Sequence, residues 1–250
     1  MIKRKSPEEI AKIRASGRVV ARVIRELSES IVPGKTTTKM LDDLAFKIIT
    51  DAGGTPSFLN YRGYPASTCL SVNEVVIHGI PDGRVLNTGD IIDIDVGAFI
   101  DGFHADSAWT FGVGEIDKDA QRLLSVTKEA LFQGIAKAKI GNRVGDIANT
   151  IQKYCESQKY GVVRDLVGHG IGRDLHEEPN IPNFGKAGTG PLLQEGMTIC
   201  IEPMINEGSY KVKTLEDGWT MVTIDGTRSA HFEHTLAITK DGPVLLTVED

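Results

Sequence analysis

Near the start of the chain, apolar residues recur at alternating three- and four-residue steps: Ile10, Ile13, Gly17, Val20, Ile24, Leu27 and Ile31. That spacing gathers them into one stripe of a helix. Ser6-Pro7-Glu8-Glu9 supplies its start, a capping box with proline at the first helical position, and Pro33-Gly34 its end. A second helix turns Leu41, Leu44, Ala45, Ile48 and Ile49 inward and stops at Gly53-Gly54. The same layout returns further along the chain. One helix carries Leu123, Leu124, Ala130, Leu131 and Ile135 up to Ile140-Gly141, and another carries Val144, Ile147, Ile151 and Tyr154.

Strand-like runs lie between and after these helix pairs: Thr68 to Ile77, Ile91 to Phe99, Phe103 to Val113, Met197 to Ile205, Trp219 to Ile224 and His231 to Thr239. The order helix, helix, strands occurs twice and suggests two similar halves around a shared core. Any two amphipathic helix pairs would look alike, so the pattern alone does not establish a duplication. No Pro-, Gly- or Ser-rich linker separates the halves, and the expected organisation is one α+β domain over residues 1–250.

Composition narrows the classes without choosing among them. A net charge of -6 opposes broad nucleic-acid binding, which needs a concentrated basic face. Lys3-Arg4-Lys5 is followed by no apolar run of a signal peptide, and no stretch approaches the roughly 20 apolar residues of a membrane span. Cys69, Cys155 and Cys200 are sparse and lack paired metal-ligand spacing, which fits a reducing, cytoplasmic setting.

The chemistry concentrates in a few segments. Asp101-Gly102 between two strand-like runs is a hairpin signal. If these two residues form the whole loop, Asp95 opposes Ala108 and Asp106 opposes Gly97, so Asp95 and Asp106 share one face as diagonal neighbours. A three-residue loop would send them to opposite faces. A lone aspartate there reads as part of a solvated face; two on one face, flanked by isoleucine and valine, call for a cation. Glu202 and Glu233 lie in similarly apolar surroundings, where an unpaired carboxylate costs several kcal/mol. Four such groups with one histidine suit two divalent ions bridged by carboxylates, and the oxygen-rich set favours Mn, Fe, Co or Zn. His78, His169 and His176 sit near glycines that permit close backbone approach to a ligand. Taken singly, each is more often a core or surface histidine than a ligand.

Two nucleotide-like motifs fail. Gly34-Lys35-Thr36 has Glu29 where a phosphate-binding loop needs glycine, and it follows a helix rather than a strand. Gly168-His169-Gly170-Ile171-Gly172 lacks the spacing of a dinucleotide fingerprint.

Taken together, Asn73-Glu74-Val75-Val76-Ile77-His78-Gly79-Ile80-Pro81, Ile94-Asp95-Val96, Asp101 to Asp106, Gly168 to Gly172, His176-Glu177-Glu178-Pro179, Ile201-Glu202-Pro203-Met204 and Phe232-Glu233-His234-Thr235 resemble methionine aminopeptidases. The resemblance spans nearly the whole chain and implies the pita-bread fold, two pseudo-symmetric α/β halves around a mostly antiparallel sheet. It implies that Asp95, Asp106, His169, Glu202 and Glu233 bind two divalent ions, with Asp106 and Glu233 bridging. Water activated by those ions would attack the peptide carbonyl, Glu202 would act as base and then acid, and His78 and His176 would contact the substrate and assist catalysis. Tyr61, Tyr64, Cys69, Leu175 and Trp219 would join the two histidines in the substrate pocket, with Leu175 standing where many members carry phenylalanine. Asn73, Val75 and Ser229 would hold a monovalent cation such as sodium or potassium. The expected partners are nascent polypeptides at the ribosome, acted on by a cytoplasmic monomer that prefers a small second residue. The short interval between Glu202 and Glu233 leaves no room for the insertion of type II members, so a minimal bacterial type I enzyme is expected.

Overall fold

The computed structural model describes residues 2–249, so the end positions of the expected 1–250 domain lie outside the described residues. Helices α1 (Pro7–Glu29) and α2 (Thr38–Asp51) lead into β1 (Thr55–Pro56), β2 (Thr68–Val72), β3 (Val75–Ile77), β4 (Ile91–Ile100) and β5 (Phe103–Gly112). Helices α3 (Lys118–Ile135) and α4 (Val144–Ser157) follow, then β6 (Gly161–Val162), β7 (Val167–Gly170), β8 (Glu177–Pro182), β9 (Thr198–Ile201) and β10 (Met204–Asn206). The remainder is β11 (Val212–Thr214), β12 (Met221–Thr223), β13 (Ser229–His231), β14 (His234–Thr239) and β15 (Gly242–Leu245). Every described strand pair is antiparallel.

The capping box forms as expected: the Ser6 hydroxyl accepts from the Glu9 amide at 3.3 Å, and the Glu9 carboxylate accepts from the Ser6 amide at 3.0 Å. Helix α1 buries Ile13, Gly17, Val20, Ile24 and Leu27 across β4 and β5, while Ile10 and Ile31 at its ends stay half-buried. A side chain at Gly17 would strike the Leu246 carbonyl, so this helix crossing requires glycine. Leu44, Leu124 and Tyr154 also sit at the half-buried margins of their stripes.

Two cores divide the helices. One joins α1 and α2 to Ile92, Ile94, Val96 and Ala98 of β4 and to Phe103 and Ala105 of β5. The other joins α3 and α4 to Ile199 and Ile201 of β9 and to Leu236 and Ile238 of β14. The halves repeat local detail: Thr37 at the start of α2 bridges Val85, and Arg143 at the start of α4 bridges Leu192. Leu86 donates to the Thr36 carbonyl, and Leu193 donates to that of Asn142, in corresponding places. The twofold layout suggested by the helix pattern is therefore present in the backbone pairing.

Strand boundaries differ from the sequence reading at informative points. Thr68–Ile77 is two strands interrupted at Asn73 and Glu74, where Asn73 takes a φ of 56°. The runs around Glu202-Pro203 and Phe232-Glu233 also break, dividing β9 from β10 and β13 from β14. Proline cannot continue a ladder, and each break releases a glutamate from strict alternation. Trp219 and Thr220 precede β12 rather than belonging to it.

Candidate metal centre and substrate cavity

The β4–β5 hairpin settles the geometry of the first two carboxylates. Asp101 and Gly102 form the two-residue loop, with φ of 50° and 83°, and the register pairs Asp95 with Ala108 and Asp106 with Gly97. Even positions of β4 face the α1–α2 core; Asp93 and Asp95 therefore face the other way, as does Asp106 on β5. Glu202 emerges where β9 ends, its carbonyl accepting from Asn183 Nδ2 at 2.9 Å. Glu233 is tied to β5 twice: its amide donates to the Ala108 carbonyl at 2.8 Å, and its carbonyl accepts from the Ser107 hydroxyl at 2.6 Å. Thr235 completes the seam, its hydroxyl donating to the Asp106 carbonyl at 2.7 Å.

His169 comes from β7, held between β8 and β9. A Cβ at Gly168 would lie 2.4 Å from the Cys200 carbonyl, and one at Gly170 would lie 2.4 Å from that of Glu178. The flanking glycines thus let β7 approach closely enough to bring the imidazole into the group. His169 Nδ1 donates to the Gly170 carbonyl at 2.9 Å, leaving Nε2 as a lone pair. Nε2 lies 3.6 Å from Glu202 Oε1 and 3.9 Å from Asp106 Oδ2.

The five residues brought together are buried. Asp95, Asp106 and Glu233 place oxygens within 4.8 Å of one another. Asp95 Oδ1, Asp106 Oδ1 and Glu233 Oε1 have no hydrogen-bond partner. Burial, reinforced by neighbouring carboxylates, pushes Asp95, Glu202 and Glu233 well above the usual carboxylate range. Burial raises Asp106 to about 7 and lowers His169 to about 4. Orphaned, mutually repelling oxygens beside an imidazole lone pair fit a divalent metal, which would satisfy the oxygens and hold all the carboxyls ionised. A third donor type stands beside them: the Cys200 thiol reaches the Thr235 hydroxyl at 3.3 Å and, by burial, keeps its proton.

Asp95, Asp106, His169, Glu202 and Glu233 line a cavity of about 500 Å³. Tyr61, Tyr64, Cys69, His78, Leu175, His176 and Trp219 all line it. Tyr64 and Trp219 meet edge to face at 5.2 Å, and the Tyr64 hydroxyl donates within reach of the Thr68 and Gly79 carbonyls, 3.0 Å from each. His176 Nδ1 lies 2.8 Å from the Tyr61 hydroxyl, and its ring stands 4.2 Å from that of His169. Burial lowers His78 to about 4 and His176 to about 3, so both are neutral at physiological pH. Asn73 and Ser229 lie apart from the cavity lining. The Ser229 amide donates to the Asn73 carbonyl at 2.9 Å, and the Asn73 side chain is engaged by Asp90 and the Ile91 amide. Val75 opens β3 nearby in the chain.

Sequence reasoning missed the pair behind Glu202. His231 Nδ1 lies 3.2 Å from Asp93 Oδ2, and Nε2 lies 3.9 Å from Glu202 Oε2. Alternation along β4 puts Asp93 on the face of Asp95 and could have flagged it, but nothing local linked it to His231. Phe58 and Leu166 of the cavity wall carried no signal either.

The metallopeptidase family M24 profile matches residues 11–240. A methionine aminopeptidase from Clostridium perfringens is 52% identical over 248 residues, covering 99% of this chain and 99% of that protein. A solved methionine aminopeptidase structure from Thermotoga maritima superposes with a TM-score of 0.98 at 47% identity, covering 100% of both chains. The prolidase of Pyrococcus furiosus shares the fold alone, with a TM-score of 0.80 at 22% identity over 99% of this chain and 66% of its own. The pita-bread architecture and divalent-metal dependence expected from sequence hold, and the chain belongs to metallopeptidase family M24 and, within it, to the methionine aminopeptidases.

Proposed function

We propose that this enzyme removes the N-terminal methionine from polypeptides, acting on nascent chains and preferring a small second residue. The observation that carries the reading is the convergence of Asp95, Asp106, His169, Glu202 and Glu233 on an aromatic, sulfur-bearing cavity. These residues would hold two divalent ions, cobalt, manganese, iron or zinc, with Asp106 and Glu233 shared between them. When bound, such ions supply Lewis acidity to the scissile carbonyl and to the attacking water.

The remaining work falls to the protein. Glu202 would take a proton from water and return it to the leaving amine, and its buried setting raises its proton affinity toward that task. With the Tyr61 hydroxyl donating to His176 Nδ1, Nε2 carries the proton and serves as a donor to the substrate oxygen as charge develops. His78, neutral for the same reason of burial, is available to hydrogen-bond the scissile nitrogen without repelling a cation. Tyr64, Cys69, Leu175 and Trp219 would enclose the methionine side chain, and thioether contact with aromatic rings is favourable. A cavity of about 500 Å³ has room for a methionine side chain and the start of the chain that follows it. Leu175 in place of phenylalanine widens one wall.

The same reading gives Asn73, Val75 and Ser229 a monovalent cation, sodium or potassium. With the Asn73 side chain already engaged, main-chain carbonyls would supply oxygens there. It also makes the enzyme a cytoplasmic monomer working at the ribosome. Among the described residues, no helix is long and apolar enough to cross a membrane.

The test is peptide selectivity after metal removal. Protein stripped by chelator and resupplied with manganese or cobalt should release methionine from Met-Ala peptides, release little from Met-Lys, and leave Ala-Pro intact. Cleavage of Ala-Pro alone would overturn the methionine assignment.

A further inference from the structure

Residues 3 to 5 lie against the loop that carries Leu175 and His176. The Lys5 amide donates to the Gly196 carbonyl at 2.6 Å, and Arg4 Nε donates to the Glu195 carbonyl at 2.6 Å. This fastening turns the Lys5 side chain inward, where Nζ donates to Glu177 Oε2 at 2.6 Å. The two side chains are 4% and 3% exposed. The other Glu177 oxygen accepts from the amides of Arg173 at 3.1 Å and Asp174 at 3.4 Å. One buried carboxylate therefore closes the turn before it and ties that turn to the N-terminal segment. Packing there is tight: a Cβ at Gly172 would lie 2.5 Å from Lys5 Cε and 2.9 Å from Glu177 Oε1. At the loop's other end, the His104 amide donates to the Gly172 carbonyl at 2.8 Å.

We infer that Lys5 is a positioning residue of the substrate site, fixing through Glu177 the 172–177 loop and with it Leu175 and His176. This inference rests on the function proposed above. A buried carboxylate is tolerated where it is paired and hydrogen-bonded. Lys3 also approaches Glu177, at 3.6 Å, but its side chain is 54% exposed and solvent screens it. Without Lys5, Glu177 turns toward water and releases the Arg173 and Asp174 amides. Leu175 and His176 lie between those amides and Glu177, so they move with the loop. A displacement of about 1 Å in a substrate-contacting group costs on the order of 100-fold in rate.

The experiment compares Lys5→Met, His176→Ala and the double variant in full-length, manganese-loaded protein, using a Met-Ala peptide. Manganese affinity is measured by calorimetry, and amide hydrogen exchange is followed at Arg173 and Asp174. Lys5→Met should lower kcat/KM roughly 10- to 100-fold, leave manganese affinity unchanged and speed exchange at both amides. In the His176→Ala background, the same substitution should change kcat less than about twofold, because the donor it positions is gone and displacement of Leu175 acts on KM. Multiplying losses of kcat in the double variant, a fall in manganese affinity or unchanged exchange would each overturn the inference. Should Lys5→Met fail to fold, Glu177→Gln, which keeps an acceptor for the two amides, is judged by the same kinetics and calorimetry. If the unaltered protein released no methionine, the proposed function would fail, while faster exchange in Lys5→Met would still show that Lys5 holds the loop.

Discussion

Glu233 and His176 face one cavity but are held by different means. Glu233 lies in the seam between β5 and β14, where its own amide and carbonyl are bonded to Ala108 and Ser107 and where Thr235 stitches Asp106 alongside. His176 lies on a loop fastened by side chains: Lys5 and Lys3 on Glu177, and the Tyr61 hydroxyl on the imidazole. The floor of the site is thus set by backbone register across two halves of the fold, while its rim is set by a few polar contacts. Register cannot adjust by fractions, so the floor is suited to a ligand set that must not move. Side-chain fastenings can be tuned one at a time, which suits the part that distinguishes substrates.

The largest effect should follow from altering the floor. Asp106→Asn should abolish tight manganese binding by calorimetry and methionine release with it. The same variant should be more stable than the unaltered protein when both are metal-free at pH 8. The Asp106 carboxyl has its folded value raised from 3.8 to about 7 by burial. The stability tied to its protonated form is complete below pH 3.8 and is lost as pH rises through about 7. Melting curves should therefore differ by roughly 5 °C or more at pH 8, with the gap closing toward pH 4. A gap that widens on acidification would show that Asp106 is stabilised as a carboxylate without metal.

At the rim, His176→Ala should lower kcat by roughly 100- to 1,000-fold, as removal of a donor to developing charge does, with manganese affinity unchanged. A loss of metal binding in this variant would erase the distinction between floor and rim. Further out on the wall, Trp219→Ala should raise KM about tenfold and change kcat less than about twofold, because it removes contact made equally in ground and transition states. The smallest effect belongs to Lys3→Ala. Its ion pair with Asp174 is exposed on both sides and screened by solvent, so the midpoint of denaturant unfolding should not move measurably.

The same contrast explains what could be read from the chain. The floor was legible in part because alternation and an Asp-Gly turn fix which side of β4 and β5 each aspartate occupies. Helices α1 to α4 were legible because their stripes keep one period and α1 carries its own cap. The β7–β8 hairpin was not, since Gly168 to Gly172 shows no alternation and its strands are defined by how closely their glycines let neighbours approach. Pro203 is a local mark of the break after Glu202, whereas the break at Phe232-Glu233 follows from where β14 pairs, which no local signal contains. His231 beside Asp93, Tyr61 beside His176 and Lys5 beside Glu177 are contacts across long stretches of chain. They depend on finished packing, and family resemblance alone pointed to Tyr61.

The central claim is that the buried carboxylates and His169 form a divalent-metal site that serves release of N-terminal methionine. Titrating manganese into metal-stripped protein, with heat and Met-Ala cleavage recorded on the same samples, tests it most directly. The account predicts that activity returns in step with saturable binding, that two ions bind per chain at saturation, and that Glu233→Gln eliminates both signals. Full cleavage by the stripped protein, or tight binding that survives in Glu233→Gln, would contradict it.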